Sequence, residues 1–343
     1  MAISFLIKKS VWVSALAWLG AWEPPLLAQP VASMSAPLVG LIGSATEIRP
    51  ITGVVGASTV GDPISLPAGI SRIYLAPLQQ WALVEKGQAG TMGRMSFAGI
   101  VPGAVTAISG AMATAQLVSF SPNGKNAILI SQSSEMMQVL THLDTMPQIS
   151  LQSDISQLDV VGAAISDDGT LPIVLTNAGA LYLLAPDNSP APVFQAHSGA
   201  GLGFLPNQQV LAIADGAGST ITLLDGLAGQ PFPRVVMPGP ALSGSAIFVQ
   251  GSTDGNSAIV SAIGAENVYR ADLTTQSLSA LGLPTPVSRL DPLRSDLFLL
   301  SANSSQAAWL LQLDGTNLRA GFAQFVSQPV VRKPVSRKPP GAP

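Results

Sequence analysis

No cysteine occurs among the 343 residues. That excludes disulfides, thiol catalysis, iron–sulfur clusters, Cys-ligated zinc and a lipid-modified N-terminal cysteine. Charge is sparse at 10%, aromatic residues make up 5%, and there are two histidines. Acids outnumber bases, 19 to 16, so the basic footprint of a nucleic-acid binder is missing. Apolar residues reach 47%, which excludes a disordered composition. Helix-forming charged residues are few, with five Glu and six Lys. What is plentiful is turn chemistry: 33 Gly and 28 Pro punctuate short apolar runs, the pattern of many short strands.

The runs repeat. A turn between two apolar runs recurs as YLAPLQQWALV (Tyr74–Val84), SFSPNGKNAILI (Ser119–Ile130), AISDDGTLPIVL (Ala164–Leu175), GFLPNQQVLAI (Gly203–Ile213), FVQGSTDGNSAIV (Phe248–Val260) and RLDPLRSDLFLL (Arg289–Leu300). About twenty residues later a third run ends at an acidic turn, as at Asp144, Asp225, Asp272 and Asp314. The spacing of roughly 40–45 residues is that of four-stranded propeller blades. It predicts an all-β fold: a β-propeller with six complete four-stranded blades between Ala68 and Phe325. Leu38–Gly43 and Glu47–Gly53 form a further hairpin, either closure strands for the last blade or a reduced seventh blade. The steady period argues against a pair of β-sandwiches.

Phe120-Ser121-Pro122-Asn123-Gly124-Lys125 and Ile165-Ser166-Asp167-Asp168-Gly169 resemble the FSPDGK turn of the TolB-like, YVTN and Trp-Asp-repeat propellers. The resemblance covers about Leu38–Phe325. It implies a disc-like scaffold used for binding and sometimes for catalysis. The chain lacks the Trp-Asp dipeptide and the blade histidine of the Trp-Asp family, so that family's hydrogen-bonded tetrad does not carry over.

Residues 1–28 read as a secretory signal peptide: Lys8 and Lys9 precede an apolar stretch, Val11–Trp22, and Leu26-Leu27-Ala28 offers a cleavage site before Gln29. The apolar stretch is shorter than the ~20 residues of a membrane span. Residues 29–37 form a linker, 38–327 the propeller, and 328–343 a basic, proline-rich tail expected to be disordered. The expected location is extracytoplasmic, periplasmic or secreted. The expected partner is a protein or envelope component, with no nucleic acid, no membrane span after signal cleavage, and a monomeric state.

No catalytic residue, metal ligand set or cofactor is assigned. His142 and His197 fall in different repeats, and a calcium site at Asp167 and Asp168 competes with ordinary turn chemistry at those aspartates. Gly199–Gly203 precedes a strand instead of opening a helix, so it is not a phosphate loop. Arg72, Arg270 and Arg289 lie in or beside strands and are the candidate ligand-binding residues, each able to meet an acidic ligand near the axis or to pair with a turn aspartate. The sequence reading is an exported propeller serving as a binding or interaction scaffold. The alternative is a propeller enzyme, lactonase-like or lyase-like, holding a metal in the channel.

Overall fold

A computed structural model describes residues 36–325, apart from 88–89, 186, 188, 243–245 and 303–306. The stretch read as a signal peptide (1–28), most of the linker that follows it and the basic tail (328–343) lie outside the described residues.

The turns set the architecture. In the turn at Ser121, the Ser121 hydroxyl donates to Asn123 Oδ1 (2.8 Å) and accepts from the Asn126 amide (3.1 Å). Asn123 Oδ1 also accepts the Lys125 amide (2.9 Å), while Gly124 takes a φ of 71° that other residues resist. Ser166-Asp167-Asp168-Gly169 and Ser252-Thr253-Asp254-Gly255 repeat the device, with Ser–Asp hydrogen bonds of 2.5 and 2.6 Å. The remaining turns have no glycine at that position, and Leu78, Asn207 and Ser295 adopt positive φ themselves.

Among the described residues, 27 strands run between these turns. An N-terminal three-stranded sheet, continuous through β3 with the last four strands of the fold, holds β1 (Leu38–Gly43), β2 (Ile48–Val54) and β3 (Ala57–Val60). The next sheet comprises β4 (Ile70–Leu75), β5 (Trp81–Lys86), β6 (Gly93–Ala98) and β7 (Val101–Ala107). Then come β8 (Leu117–Phe120), β9 (Ala127–Ser131), β10 (Met136–Thr141) and β11 (Gln148–Asp154). The following sheet contains β12 (Val160–Ile165), β13 (Pro172–Thr176), β14 (Ala180–Leu184) and β15 (Pro190–Gln195). After it stand β16 (Gly201–Phe204), β17 (Leu211–Asp215), β18 (Thr220–Asp225) and β19 (Phe232–Pro238). The sheet β20 (Ile247–Gly251), β21 (Ser257–Ala262), β22 (Asn267–Asp272) and β23 (Ser277–Gly282) follows. The last is β24 (Asp291–Arg294), β25 (Leu297–Ala302), β26 (Ala307–Asp314) and β27 (Asn317–Phe325). Within each sheet, sequence neighbours pair antiparallel.

The strands β9, β13, β17 and β21 are buried along their whole length. Each blade is covered on both faces, so the middle of its second strand is a continuous apolar run and does not alternate. The core is divided into seven apolar clusters, each shared by two neighbouring sheets. One joins Ile42, Ile51 and Val60 to Leu299, Leu310 and Ala323. Another joins Leu41 and Ile48 to Ile73, Val84 and Met95. The N-terminal sheet therefore sits between the last and the first four-stranded blade, and the ring closes. The fold is a β-propeller of six four-stranded blades and a reduced, three-stranded seventh.

The N-terminal hairpin fills both of its expected roles at once. It forms a blade, and its β3 also pairs with the last sheet, Ser58–Val60 lying parallel to Ala323–Phe325. Because β27 runs opposite to β24 and parallel to β3, β1 descends the axis against the direction of β24. No signal in the turn pattern predicts that inversion. Among the described residues, no helix is long and apolar enough to cross a membrane.

Candidate functional site

The seven innermost strands, β1, β4, β8, β12, β16, β20 and β24, surround a cavity of about 320 Å³ on the axis. Apolar residues such as Val118, Phe120 and Leu202 contribute to its wall, but the surface it exposes is more polar than apolar. A 3-10 turn, Pro77–Gln79, lines it from the β4–β5 end and packs against β24. Gln79 is buried, and its amide group behaves like a peptide unit: Oε1 accepts the Leu41 amide (2.6 Å) and Nε2 donates to the Leu41 carbonyl (2.7 Å). The inner edge of β1 is thereby satisfied without a neighbouring strand.

Among the described residues, two charged ones line this cavity: Arg289, just before β24, and Asp291, its first residue. Arg289 Nη2 pairs with the Asp291 carboxylate, and Nη1 donates to the Gly43 carbonyl (3.1 Å). Burial pushes the Arg289 guanidinium down from its ordinary value, yet a guanidinium keeps its proton in a protein.

The three candidate arginines part company here. Arg289 alone lines the cavity. Arg72 is exposed on β4, where Nη1 donates to Tyr74 Oη and to the Ala115 carbonyl, both at 3.2 Å. Its guanidinium is raised by the hydrogen bond to Tyr74, by the charge on that phenol and by Glu85. Arg270 is buried on β22, a third strand away from the axis, and Nη2 pairs with Asp272 at 3.0 Å. Arg270 thus ties its own blade internally, while Arg72 reaches the segment leading into the next one. Sequence reasoning missed Gln79 and Asp291. Gln79 carries no motif at all, while the Arg-Leu-Asp spacing that places Arg289 just before β24 and Asp291 at its first position was a usable signal.

The histidines do not converge. The chain meanders up and down each blade, so His142 at the β10–β11 turn and His197 before β16 fall on opposite faces of the disc. His197 Nδ1 lies 2.7 Å from Asp215 Oδ2. Burial raises the Asp215 carboxyl, but hydrogen bonds from the Gly218 amide and from His197 outweigh it and leave it lowered. The aspartates once considered for calcium are occupied by turn contacts. Asp167 accepts the Asn123 amide on one oxygen and the Asn207 amide on the other, both at 2.7 Å, so it joins three successive blades. Burial pushes the Asp168 carboxyl up, but hydrogen bonds from Ser166, Thr170 and Gln209 prevail and hold it at about 2. Among the described residues no three His, Asp or Glu side chains gather as a metal set.

Against solved structures the likeness is one of fold. The chain matches a protein of unknown function from Desulfotomaculum acetoxidans DSM 771, at TM-score 0.58 and 17% identity, over 83% of this chain and 94% of that one. It also matches U3-55K, at TM-score 0.51 and 13% identity, over 76% of this chain and 83% of that one. No known family matches the chain, and no curated protein does.

Proposed function

We propose that this protein is an exported binding scaffold of the TolB-like or YVTN type, whose site is the axial cavity. The observation that carries the reading is the cavity itself: seven inner strands converge on a space whose described lining holds a single ion pair. Its volume falls within the ~300–1,000 Å³ of small-molecule sites, with polar groups that can fix a ligand's orientation. The signal-like N-terminus supports export. The metal-dependent hydrolase reading is weaker, because neither histidine lines the cavity.

Photo-cross-linking in intact cells tests the site. With p-benzoylphenylalanine in place of Ser119 on β8, which lines the cavity, irradiation is expected to give one discrete adduct, identified by mass spectrometry of the purified chain. An adduct that also forms from an outer strand, such as at Thr106, or no adduct at all, overturns the site. The same cells test the export leg. The mature chain is expected outside the cytoplasm with Gln29 at its N-terminus, and a cytosolic chain retaining Met1 removes that leg.

A further inference from the structure

The cavity is electrically balanced. Arg289 and Asp291 bring one charge of each sign, side by side, and every other lining residue is neutral. Two guanidinium nitrogens are engaged, one by Gly43 and one by Asp291; a guanidinium has five N–H donors and a carboxylate about four acceptor positions, so both groups retain capacity. Both side chains are also partly open to solvent, Arg289 at 34% and Asp291 at 42%. They form the charged end of the site, whereas the partly exposed Val118, Phe120 and Leu202 supply its apolar wall.

A ligand with one net charge meets a cost here. An anion on Arg289 sets a second negative group beside Asp291, and a cation on Asp291 sets a second positive group beside Arg289. Like charges at such range oppose each other, the more so where water is thin. A ligand that carries both signs on adjacent atoms avoids the penalty and uses both residues.

We infer that the cavity binds a free apolar α-amino acid as its zwitterion. The carboxylate lies on Arg289, the ammonium on Asp291, and the side chain against the apolar wall. The inference rests on the axial cavity being the site and adds the ligand class.

Calorimetric titration of the mature chain with three probes tests it: L-phenylalanine, 3-phenylpropanoate, which lacks the ammonium, and 2-phenylethylamine, which lacks the carboxylate. L-Phenylalanine is expected to bind at least about tenfold more tightly than either, the value of one charge-assisted hydrogen bond. Arg289→Gln and Asp291→Asn are each expected to reduce it to the level of the half-ligands, with unchanged far-ultraviolet circular dichroism. Equal binding of 3-phenylpropanoate or 2-phenylethylamine overturns the inference, as does unchanged phenylalanine binding in both variants or none at millimolar concentration. If phenylalanine fails while the Ser119 probe captures another molecule, the ligand class is wrong and the cavity stands. If both fail, the site falls with it.

Discussion

Tyr74 shows how one side chain can join two blades. Its hydroxyl lies 2.9 Å from Glu85 Oε1 and 2.7 Å from the Ala115 carbonyl oxygen, and Arg72 donates to it. The Ala115 amide in turn donates to Glu85 (3.0 Å), which is itself buried. Burial pushes the phenol up to about 12; the hydrogen bond from Arg72 opposes this and the one to Glu85 adds to it. An ordinary phenol ionises near ~10. The folded state therefore holds this proton more tightly than the unfolded chain does. The associated stability is complete below about pH 10 and is lost as pH rises towards 12. Of the three tyrosines, one is expected to ionise last in an ultraviolet absorbance titration, and Tyr74→Phe should abolish that final step. A variant titration that keeps the late step assigns it elsewhere. Arg72, read from sequence as a ligand group, was legible as a strand residue but not as a strut for Tyr74. Both roles need an arginine in a strand, and only the position of Ala115 on the next blade decides between them.

At the scale of elements, the turn code was the most readable part of the chain. Ser-x-Asn/Asp-Gly contains its own hydrogen-bond partners within six residues, so local sequence suffices to close it. The buried second strands were readable for the same reason, as unbroken apolar runs. The inner edge of β1 was not readable. Its satisfaction depends on Gln79, which is 38 residues away and sits in a turn that lacks both glycine and aspartate. Gln79→Ala strips Leu41 of a donor and an acceptor partner at a buried position, with a cost of about 2–4 kcal/mol for two orphaned backbone groups. Urea denaturation should show that loss, and hydrogen exchange should locate it at the Leu41 amide. Protection of Leu41 left unchanged in the variant would mean that water or a neighbouring group replaces the side chain.

For the whole molecule, the period announced the number of complete blades, while the direction of the seventh was hidden. Direction is a global property: it follows from β3 lying parallel to β27, a pairing of three residues between opposite ends of the chain. The hairpin strands Leu38–Gly43 and Ile48–Val54 read the same whichever way they descend. The cavity was hidden for a similar reason, since its lining is drawn from all seven inner strands and no local window contains it. Thr59 lies at the centre of the parallel pairing, opposite Gln324. Thr59→Pro removes a ladder amide and strains both neighbours, and a Tm lower by about 5–10 °C is expected. Limited proteolysis should cut the variant first within residues 61–69, the connection from β3 to β4. Cleavage elsewhere with an intact N-terminal sheet would show that the seam is dispensable.

The seam also sets an order of events during biosynthesis. Arg289 reaches Gly43 across 246 residues of chain, so the first three strands emerge from the ribosome long before their partners exist. At about 5–20 residues per second, they wait on the order of ten seconds or more. During that interval the outer edge of β3 has no strand beside it and is open to whichever holdase meets it first. A chain that cannot lock until its end arrives remains threadable for almost the whole of its synthesis.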